Sequence, residues 1–381
     1  MPLRRFLFSV LLVSGVSAFA VERPVASGAE FAAAMKEAKP GDAIVWAGGS
    51  YFDTAMRVRA RGTEAAPIVI RAAKTGEAIF TGASQLEVRG EWVVVEGLTF
   101  EGTTLDPILL RDAQHCRVTA CTMRACNPPD RRIHWLRIGG KTSTANRVDH
   151  CTFDDKRTDG VMMIIDGDEG VIATDTRIDH NLFRGITRAV RNGMEALRIG
   201  DSSFQHLDAR TVVEENRFQD CRGDAEVVSN KSSANQYRGN VFTGCDGGAI
   251  VLRHGDRCVV EENRIDGESR KKAGGIRVHG EGHRVRGNVI ERTGSFAIAI
   301  PAGNSVPRAT GHAPVRDAVI ENNRIVRPAG PVFVLGEPHD DKRLQDTAPV
   351  GVVFRGNKVE ELGAQTEVKE FLKTEGGVRW E

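Results

Sequence analysis

One short phrase of residues recurs along most of the chain: an apolar residue, two polar residues, Asn or Cys, one variable residue and a second apolar residue. Clear copies are Val118–Met123, Val213–Phe218 and Val285–Ile290, and the ten copies run from Val95–Phe100 to Phe354–Val359. Successive fourth positions lie 23 to 35 residues apart, which suits three short strands and three turns in each coil of a β solenoid. The repeat therefore predicts an all-β, single-domain, right-handed parallel β-helix.

Equivalent positions of stacked coils lie about 4.8 Å apart, so the recurring Asn should form a hydrogen-bonded ladder at one turn. The cysteines follow the same repeat: Cys121 and Cys151 occupy the ladder position, and Cys126, Cys221 and Cys245 follow the closing apolar residue by three. This placement favours buried packing of free thiols, and a disulfide between neighbouring coils is the alternative.

Both ends of the chain depart from the repeat. Residues 1–20 have a basic start, an apolar middle and the ending Ala18-Phe19-Ala20, which predicts a cleaved signal peptide and a secreted or periplasmic protein. A membrane anchor is the alternative, although it needs a longer apolar run. Once residues 1–20 are removed, no membrane insertion is expected, because no later segment is long and apolar enough.

The β-helix domain is predicted over residues 21–360. The segment Ser27-Gly-Ala-Glu30 has the form of a capping box and predicts an N-terminal capping helix. Residues 361–381 are predicted to be a C-terminal tail that caps the other end with Phe371, Leu372 and Trp380. Such caps are needed because a solenoid otherwise exposes apolar surface and strand edges at its ends.

The charge is almost balanced, with 52 Lys and Arg against 51 Asp and Glu. This balance argues against a protein that binds nucleic acid through bulk charge. An acidic polysaccharide is compatible with it if the positive side chains are concentrated in one groove. The oligomeric state does not follow from the sequence.

Polar residues cluster between residues 192 and 279, away from the Asn ladder. Asp224 and Glu226 are two residues apart and would point the same way on a strand. Lys231 and Arg253 are separated by close to one coil, so they should lie on neighbouring coils, and Asn192 precedes Asp224 by one longer coil. Two carboxylates and an amide oxygen suit calcium. A solvated acidic edge neutralised by Lys231 and Arg253 is an equally good interpretation of the spacing.

The motifs in this region resemble those of the alginate lyase and chondroitinase B family, polysaccharide lyase family six. The resemblance covers nearly the whole chain after residue 20 and rests on Asn192-Gly-Met-Glu195, Asp224-Ala-Glu226-Val-Val-Ser-Asn-Lys231-Ser and Leu252-Arg253-His254-Gly255. It implies Asn192, Asp224 and Glu226 as calcium ligands, Lys231 as the Brønsted base, and Arg253 as the acid or charge stabiliser. Asp224 departs from the family pattern, where Glu is more usual.

In such lyases the base removes the C5 proton of a uronate, and positive charge at the carboxylate makes that proton acidic enough to remove. Nearby calcium and Arg253 would lower the pKa of Lys231 and so favour its neutral form. His254 is a possible supporting residue, or an inward-facing neighbour of Arg253. Arg198, Arg277 and His279 are candidate substrate-binding residues, with ordinary surface charge as the alternative.

The resulting hypothesis is a secreted, calcium-assisted polysaccharide lyase acting on a uronate polymer, with alginate the preferred substrate. A lyase acting on dermatan sulfate, as chondroitinase B does, is the first alternative. A noncatalytic glycan-binding β-helix is the second. A hydrolase of the polygalacturonase type would need a pair of flanking carboxylates, and Asp154-Asp155 alone does not supply that site. The choice between mannuronate and guluronate and between endolytic and exolytic cleavage stays open.

Overall fold

The computed structural model describes residues 21–306, 311–338, 345–361, 368–372 and 377–381. The predicted signal peptide, residues 1–20, lies outside these described residues. In the described part of the chain, three parallel sheets run side by side along the molecule, and each complete coil contributes one strand to each sheet. This arrangement confirms the predicted parallel β-helix, and the right hand is the usual one for parallel crossover connections. No helix among the described residues is long and apolar enough to cross a membrane.

Sheet 1 contains fourteen strands of the described chain and carries the side of each coil that leads into the Asn ladder. Its strands are Glu22–Val25, Ala43–Trp46, Ile68–Ala72, Val93–Glu96, Arg117–Thr119, Arg147–Asp149, Arg177–Asp179, Val212–Glu214, Gln236–Arg238, Val259–Glu261, Arg284–Arg286, Val319–Glu321, Val352–Arg355 and Val378–Trp380.

Sheet 2 contains twelve described strands, which include the longest ones of the molecule. They are Ala55–Val58, Gln85–Val88, Ile108–Arg111, Leu136–Gly139, Met163–Ile165, Leu197–Ile199, Glu226–Lys231, Gly247–His254, Ala273–Val278, Phe296–Ile300, Phe333–Leu335 and Val368–Glu370.

Sheet 3 also contains twelve described strands. They are Gly49–Phe52, Ala78–Thr81, Thr99–Glu101, Thr122–Arg124, Thr152–Lys156, Leu182–Thr187, Arg217–Arg222, Val241–Thr243, Arg264–Asp266, Val289–Glu291, Arg324–Val326 and Lys358–Glu360. Two short antiparallel pairs lie in the loops: Gly167–Asp168 with Val171–Ile172, and Gly303–Asn304 with Gln345–Thr347.

The N-terminal cap is the helix Gly28–Glu37. Its capping box forms as predicted, because the Ser27 hydroxyl accepts from Glu30 N at 3.2 Å and the Glu30 carboxylate accepts from Ala26 N at 2.8 Å. Phe31 is fully buried and stacks on Trp46 at 5.5 Å between ring centroids. The helix therefore covers the apolar interior at the first coil.

Buried asparagines form a ladder along one turn, as the repeat predicts. The side-chain oxygen of Asn216 accepts from the backbone N–H of Asn181 at 3.0 Å, and Asn240 does the same for Asn216. The Asn216 amide also donates to the Ile178 carbonyl at 2.8 Å. The same contacts continue through Asn357. Each buried turn is thereby satisfied by the next coil, which fixes the register between coils.

The interior is filled by aligned apolar columns, including the stacked rings of Phe153, Phe183, Phe218 and Phe242 with centroids 4.5 to 4.8 Å apart. All seven cysteines of the chain are buried and free. The structure thus favours packing over a disulfide for these thiols.

The outer faces of sheets 1 and 3 are neutralised by ion pairs between neighbouring coils. On sheet 1, Arg147 contacts Asp179 at 2.7 Å and Arg177 contacts Glu214 at 2.8 Å. On sheet 3, Arg184 contacts Asp154 at 2.6 Å. These pairs place opposite charges of neighbouring coils side by side on the outer faces.

At the C-terminal end, described parts of the tail continue two of the sheets. Val368–Glu370 pairs with Phe333–Leu335, and Val378–Trp380 pairs with Val352–Arg355. The Trp380 ring stacks on Phe354 at 4.4 Å between centroids. The end of the interior is therefore covered by strands of the tail and by this ring.

We expect Asn216→Ala to lower the free energy of unfolding substantially, because it leaves the Asn181 N–H and the Ile178 carbonyl without their buried partners, at about 1–3 kcal/mol per group. Asn357→Ala is the matched control, since Asn357 is half-buried at the end of the ladder and water can replace it. Thermal unfolding of both variants at one scan rate measures the difference. Equal midpoints for the two variants would contradict the role given to the ladder.

Candidate active site

Sheet 2 differs from the other two sheets because it brings polar residues of successive coils into two outward columns. The strand register aligns Arg137, Arg198 and Arg277 with intervening Ile164, Ser229 and Val251 in one column. Leu197 pairs with Val228 in this register, so Glu195 lies beside Glu226, two residues earlier on each strand. The face thus gathers charges that are far apart in sequence.

We define the central cluster as Glu195, Arg198, Glu226, Lys231 and Arg253. Lys231 Nζ and Arg198 Nη1 each lie 3.9 Å from Glu195 Oε1, and Arg253 Nη1 lies 3.2 Å from Glu226 Oε1. The two carboxylate side chains are only 2% and 5% exposed, so these interactions take place with little competing water. The predicted proximity of Lys231 and Arg253 is present, on adjacent strands.

An irregularity in the strand pairing shapes this part of the cluster. Asn230 pairs with Leu252, but Lys231 pairs with His254, so Arg253 falls at the shift in register. The buried Asn230 amide donates to the His254 carbonyl at 2.7 Å, and its oxygen accepts from Tyr237 Oη at 2.6 Å. Asn230 therefore holds the backbone on both sides of the irregularity. Its role was missed at sequence level because its partners lie in other segments.

The electrostatics of Lys231 suit a base. Burial lowers the pKa of Lys231, and Arg198 and Arg253 act in the same direction, while Glu195 and Glu226 oppose the shift. The net pKa is below the ordinary lysine value, so a larger fraction of Lys231 is neutral at a given pH. A neutral amine is the form that can accept a proton.

Glu195 belongs to the Asn192-Gly-Met-Glu195 motif, which by itself predicts no role for it, and the structure places it at the centre of the cluster. Burial raises the pKa of Glu195, with Asp224 and Glu226 adding to the rise and Arg198 and Lys231 opposing it. Glu195 Oε2 is buried and has no hydrogen-bond partner among the described residues. The same holds for the Nε atoms of Arg198 and Arg253. Oxygen atoms of a ligand could accept from the two arginine Nε–H groups, and a bound cation could contact Glu195 Oε2.

Glu226 behaves differently from Glu195. Burial acts to raise its pKa, but Arg253 and Lys231 more than compensate, and the pKa of Glu226 lies below its usual value. Glu226 is therefore ionised, and its charge is shared with Arg253.

Asp224 does not point along the strand with Glu226, because the strand begins at Glu226 itself. Its Oδ2 accepts from the backbone N–H groups of Gly193 and Met194 at 2.6 and 3.2 Å, and its Oδ1 accepts from Ala225 N at 2.6 Å. Asp224 thus ties the preceding coil to its own. Asn192 is exposed and directly precedes Gly193, whose N–H donates to Asp224.

The donors around Glu195 fit a hard cation by their chemistry. Carboxylates of Asp224 and Glu226 raise the pKa of Glu195, and the unpartnered Glu195 Oε2 is an oxygen that a cation would satisfy. Asn192 would add an amide oxygen. No group of three or more His, Cys, Asp or Glu side chains is arranged as a metal-binding cluster within the described residues. A calcium ion would therefore complete its shell with the Asn192 amide, water or substrate oxygens.

His254 and His279 lie beneath the surface. His254 is buried beside Arg253, burial and that arginine lower its pKa to about 3, and its Nε2 lies 3.2 Å from Ser202 Oγ. His279 has no exposed surface and stacks on His312 at 4.3 Å between centroids. Direct substrate binding, as predicted for His279, is incompatible with this burial, because His312 from a later loop covers it. Both histidines support the surface from behind.

Arg198 and Arg277, the other candidate substrate-binding residues, are both half-buried. Arg198 is 14% exposed within the central cluster. Arg277 lies over the Phe296 ring at 5.1 Å. The Phe296 ring leaves no room for a side chain at Gly274, where a Cβ would lie 2.6 Å from the ring. Gly274 and its paired residue Gly248 carry no side chain, so no side chain projects from these two positions of sheet 2 beyond Glu226.

Comparisons with known proteins identify the family of the chain. The sequence model of the chondroitinase B family matches residues 25–352. A mannuronic acid specific polysaccharide lyase of family six from human gut microbiota is similar, with 28% identity, a TM-score of 0.83, and coverage of 94% of this chain and 86% of the other. No curated protein sequence matched.

Two further structures share the fold. The family six alginate lyase AlyGC is 28% identical with a TM-score of 0.82 over 95% of this chain, which spans only 53% of AlyGC. Another family six alginate lyase, in complex with a trisaccharide, is 23% identical with a TM-score of 0.78, over 95% of this chain and 84% of the other, and supports the fold alone.

The parallel β-helix and these similarities define the protein as a polysaccharide lyase. The chain belongs to the chondroitinase B family, polysaccharide lyase family six.

We expect Asp224→Asn to loosen residues 188–194, because the amide offers one acceptor oxygen where the carboxylate receives three backbone N–H groups. A hydrogen bond to a charged group is worth about 1.5–3 kcal/mol, so cleavage by trypsin after Arg188 and Arg191 should be about tenfold faster or more. Limited proteolysis followed by mass spectrometry measures the rates. Asp201→Asn, which alters another loop cap, is the control. Unchanged cleavage in Asp224→Asn would refute the tie.

Proposed function

We propose that the protein cleaves a uronate-containing polysaccharide by β-elimination at the central cluster, with alginate as the substrate. The observation that carries this proposal is the placement of Lys231, a half-buried amine with a lowered pKa, on the strand next to Arg253. The family membership supplies the reaction class. The distances and charges of the central cluster support the choice of residues.

Lys231 acts as the base in this proposal. Its neutral amine accepts the C5 proton of the uronate, and the electron pair left on C5 forms the C4–C5 double bond. The C4–O4 bond breaks at the same time, and O4 leaves with the preceding part of the chain. Nothing is oxidised or reduced, and no water is consumed.

Arg253 stabilises the charge that develops on the leaving O4. The O4 atom takes its proton either from Arg253 or, with Arg253 as a fixed cation, from solvent, to which Lys231 returns the C5 proton. Its Nη1 is held by Glu226 while its Nε has no partner in the described structure. The guanidinium is therefore anchored at one edge and has a donor left for an oxygen of the substrate.

Asn192, Asp224 and Glu226 would hold calcium, with Glu195 beside them. Bound calcium supplies positive charge that neutralises the C6 carboxylate and makes the C5 proton more acidic. Arg198 adds positive charge to the same face, where it lies against Glu195.

Alginate is proposed ahead of dermatan sulfate because the cations of sheet 2 are few and largely paired with carboxylates. Such a face suits one carboxylate per sugar better than added sulfates. The similar family six enzymes of known specificity are described as a mannuronic acid specific lyase and an alginate lyase.

We also propose that the protein is exported and that residues 1–20 are removed, which implies a secreted or periplasmic location. Such a location suits an enzyme with a polymeric substrate. N-terminal sequencing of the exported protein would detect the cut, and an intact Met1 in that material would refute it.

The principal test is the ultraviolet absorbance of the unsaturated uronate that only a lyase produces. Lys231→Ala and Arg253→Ala should each lower kcat/KM on alginate by about 10²–10⁴-fold, because each removes a group that acts on a moving proton or on developing charge. Lys358→Ala and Arg286→Ala, on other sheets, are the matched controls.

The outcomes separate the parts of the proposal. Near-normal turnover in Lys231→Ala would remove its role as the base. Activity on dermatan sulfate and none on alginate would keep the lyase and change the substrate. Absence of the signal from the unaltered enzyme on every uronate polymer would overturn the function.

Removal of calcium with EDTA should abolish most activity, and added Ca²⁺ should restore it. Ca²⁺ should also raise the thermal midpoint of the unaltered protein, since a ligand that binds only the folded state stabilises it. Glu226→Ala should lose this response, and Glu360→Ala, on sheet 3, should keep it. Full activity in EDTA would exclude a calcium requirement.

A further inference from the structure

One position in the interior of the β-helix breaks the apolar pattern of sheet 2. Asn230 is completely buried, and its side chain points inward from the strand Glu226–Lys231. The strand register aligns it with aliphatic residues of the coils before and after it: Val58, Val88, Leu110, Ile138, Ile165, Ile199, Leu252 and Val278. Burial of an amide is unfavourable unless its polar atoms find partners, so packing alone does not explain Asn230.

Sheet 1 has a matching exception at Tyr237, which is also completely buried. Its neighbours in the strand register are all aliphatic: Val95, Val118, Val148, Ile178, Val213, Val260, Val285 and Ile320. The two exceptions lie on the same coil and contact each other, because Tyr237 Oη donates to Asn230 Oδ1 at 2.6 Å. A polar group in one apolar column is therefore the partner of a polar group in the other.

The remaining hydrogen bonds of Asn230 hold its side chain in one orientation. Its Nδ2 donates to the carbonyls of Ser232 and His254 at 2.8 and 2.7 Å, and its oxygen also accepts from Asn235 Nδ2 at 2.8 Å. Carbonyl oxygens can only accept, so the NH₂ group must face them and the amide oxygen must face Tyr237 and Asn235. Both donors of the amide and both acceptor sites of its oxygen are thus used.

The two carbonyls that Asn230 binds belong to the residues directly after the proposed catalytic side chains. Ser232 follows Lys231, and His254 follows Arg253. The strand pairing shifts at this place, and such a shift interrupts the regular hydrogen bonds between strands and changes the direction of side chains. Hydrogen bonds from inside the β-helix therefore hold the two strands together where their own pairing is irregular.

We propose that Asn230 and Tyr237 are positioning residues for the lyase reaction, which fix the separation of Lys231 and Arg253 from inside the β-helix. This inference rests on the proposed function. Neither Asn230 nor Tyr237 contacts the substrate, because both are completely buried. Asn230 acts on the backbone of both strands, and Tyr237 acts through Asn230 by holding its amide in place.

The separation matters because Lys231 and Arg253 act on one sugar linkage in the same step. Lys231 Nζ must reach the C5 proton while the guanidinium of Arg253 meets the leaving O4. A displacement of one strand against the other lengthens one of these contacts, and small errors of placement lower the rate of a reaction strongly. Loss of the Tyr237–Asn230 hydrogen bond should therefore slow the chemical step without altering the groups that carry it out.

Tyr237→Phe tests this role with the smallest change, because it removes only the hydroxyl. We expect kcat on alginate to fall about tenfold or more while KM stays within about twofold, since placement of the reacting groups changes and the substrate contacts do not. Tyr51→Phe is the matched control: Tyr51 is the only other tyrosine, and its hydroxyl donates to the Ala47 carbonyl at 2.8 Å in the first coil. It should keep the kcat of the unaltered enzyme. Thermal unfolding of both variants records the stability that each lost hydrogen bond supplied, and kcat is measured well below both midpoints.

A double-mutant cycle tests whether Tyr237 acts through Asn230. Asn230→Leu gives this position the aliphatic side chain of its register neighbours and should lower kcat more than Tyr237→Phe does, because both strands lose their hydrogen bonds to the amide. Adding Tyr237→Phe to Asn230→Leu should lower kcat no further. The double variant should also unfold at a higher temperature than Asn230→Leu alone, because no buried hydroxyl is then left without its partner.

The outcomes separate this role from the proposed function. An unchanged kcat in Tyr237→Phe, or an equal fall in Tyr51→Phe, would overturn the positioning role while the lyase stands. Independent losses of kcat that multiply in the double variant would contradict the action of Tyr237 through Asn230. If Asn230→Leu does not fold, the comparison of the two tyrosine variants still decides the proposal. Absence of the unsaturated product from the unaltered enzyme on every uronate polymer would overturn the proposed function and this role together.

Discussion

The buried asparagine ladder is the interaction on which the rest of the structure depends. A coil of the β-helix has no partner for its turn N–H groups except the coil that follows, and Asn216 and its equivalents supply that partner. Since the Asn side chain bonds to fixed backbone positions of the preceding coil, the ladder fixes how each coil sits on the next. Loops of different length can then leave a coil without disturbing the stacking, and the steps vary from 23 to 35 residues.

Fixed register turns distant residues into neighbours. Glu195, Glu226, Lys231 and Arg253 come from three successive coils and meet because equivalent positions are one strand spacing apart. Elsewhere the same spacing pairs arginines with acids and neutralises the surface. On sheet 2 it instead buries charges close together. There the low exposure lowers the pKa of Lys231, and unpartnered atoms remain on Glu195 and the arginines. The reactive face and the inert faces thus follow from one geometric rule.

The repeat made the fold predictable, and the coil length made the contact between neighbouring Lys231 and Arg253 strands predictable. Details beyond the repeat were not. Asp224 turns to the backbone of Gly193 because its strand starts two residues later, and spacing alone does not locate a strand end. His279 is covered by His312, which an inserted loop brings from more than thirty residues away. Glu195 gains its importance from neighbours on other coils, which no local pattern reveals.

The most direct measurement of the central claim is the mass of the products formed from polymannuronate in water enriched in oxygen-18. Elimination consumes no water, so the account predicts products that carry no heavy oxygen and end in an unsaturated sugar one water lighter than a hydrolysis product. Saturated products that have incorporated one heavy oxygen for each bond cut would contradict it, because they would show that water, and not the Lys231 site acting on C5, breaks the chain.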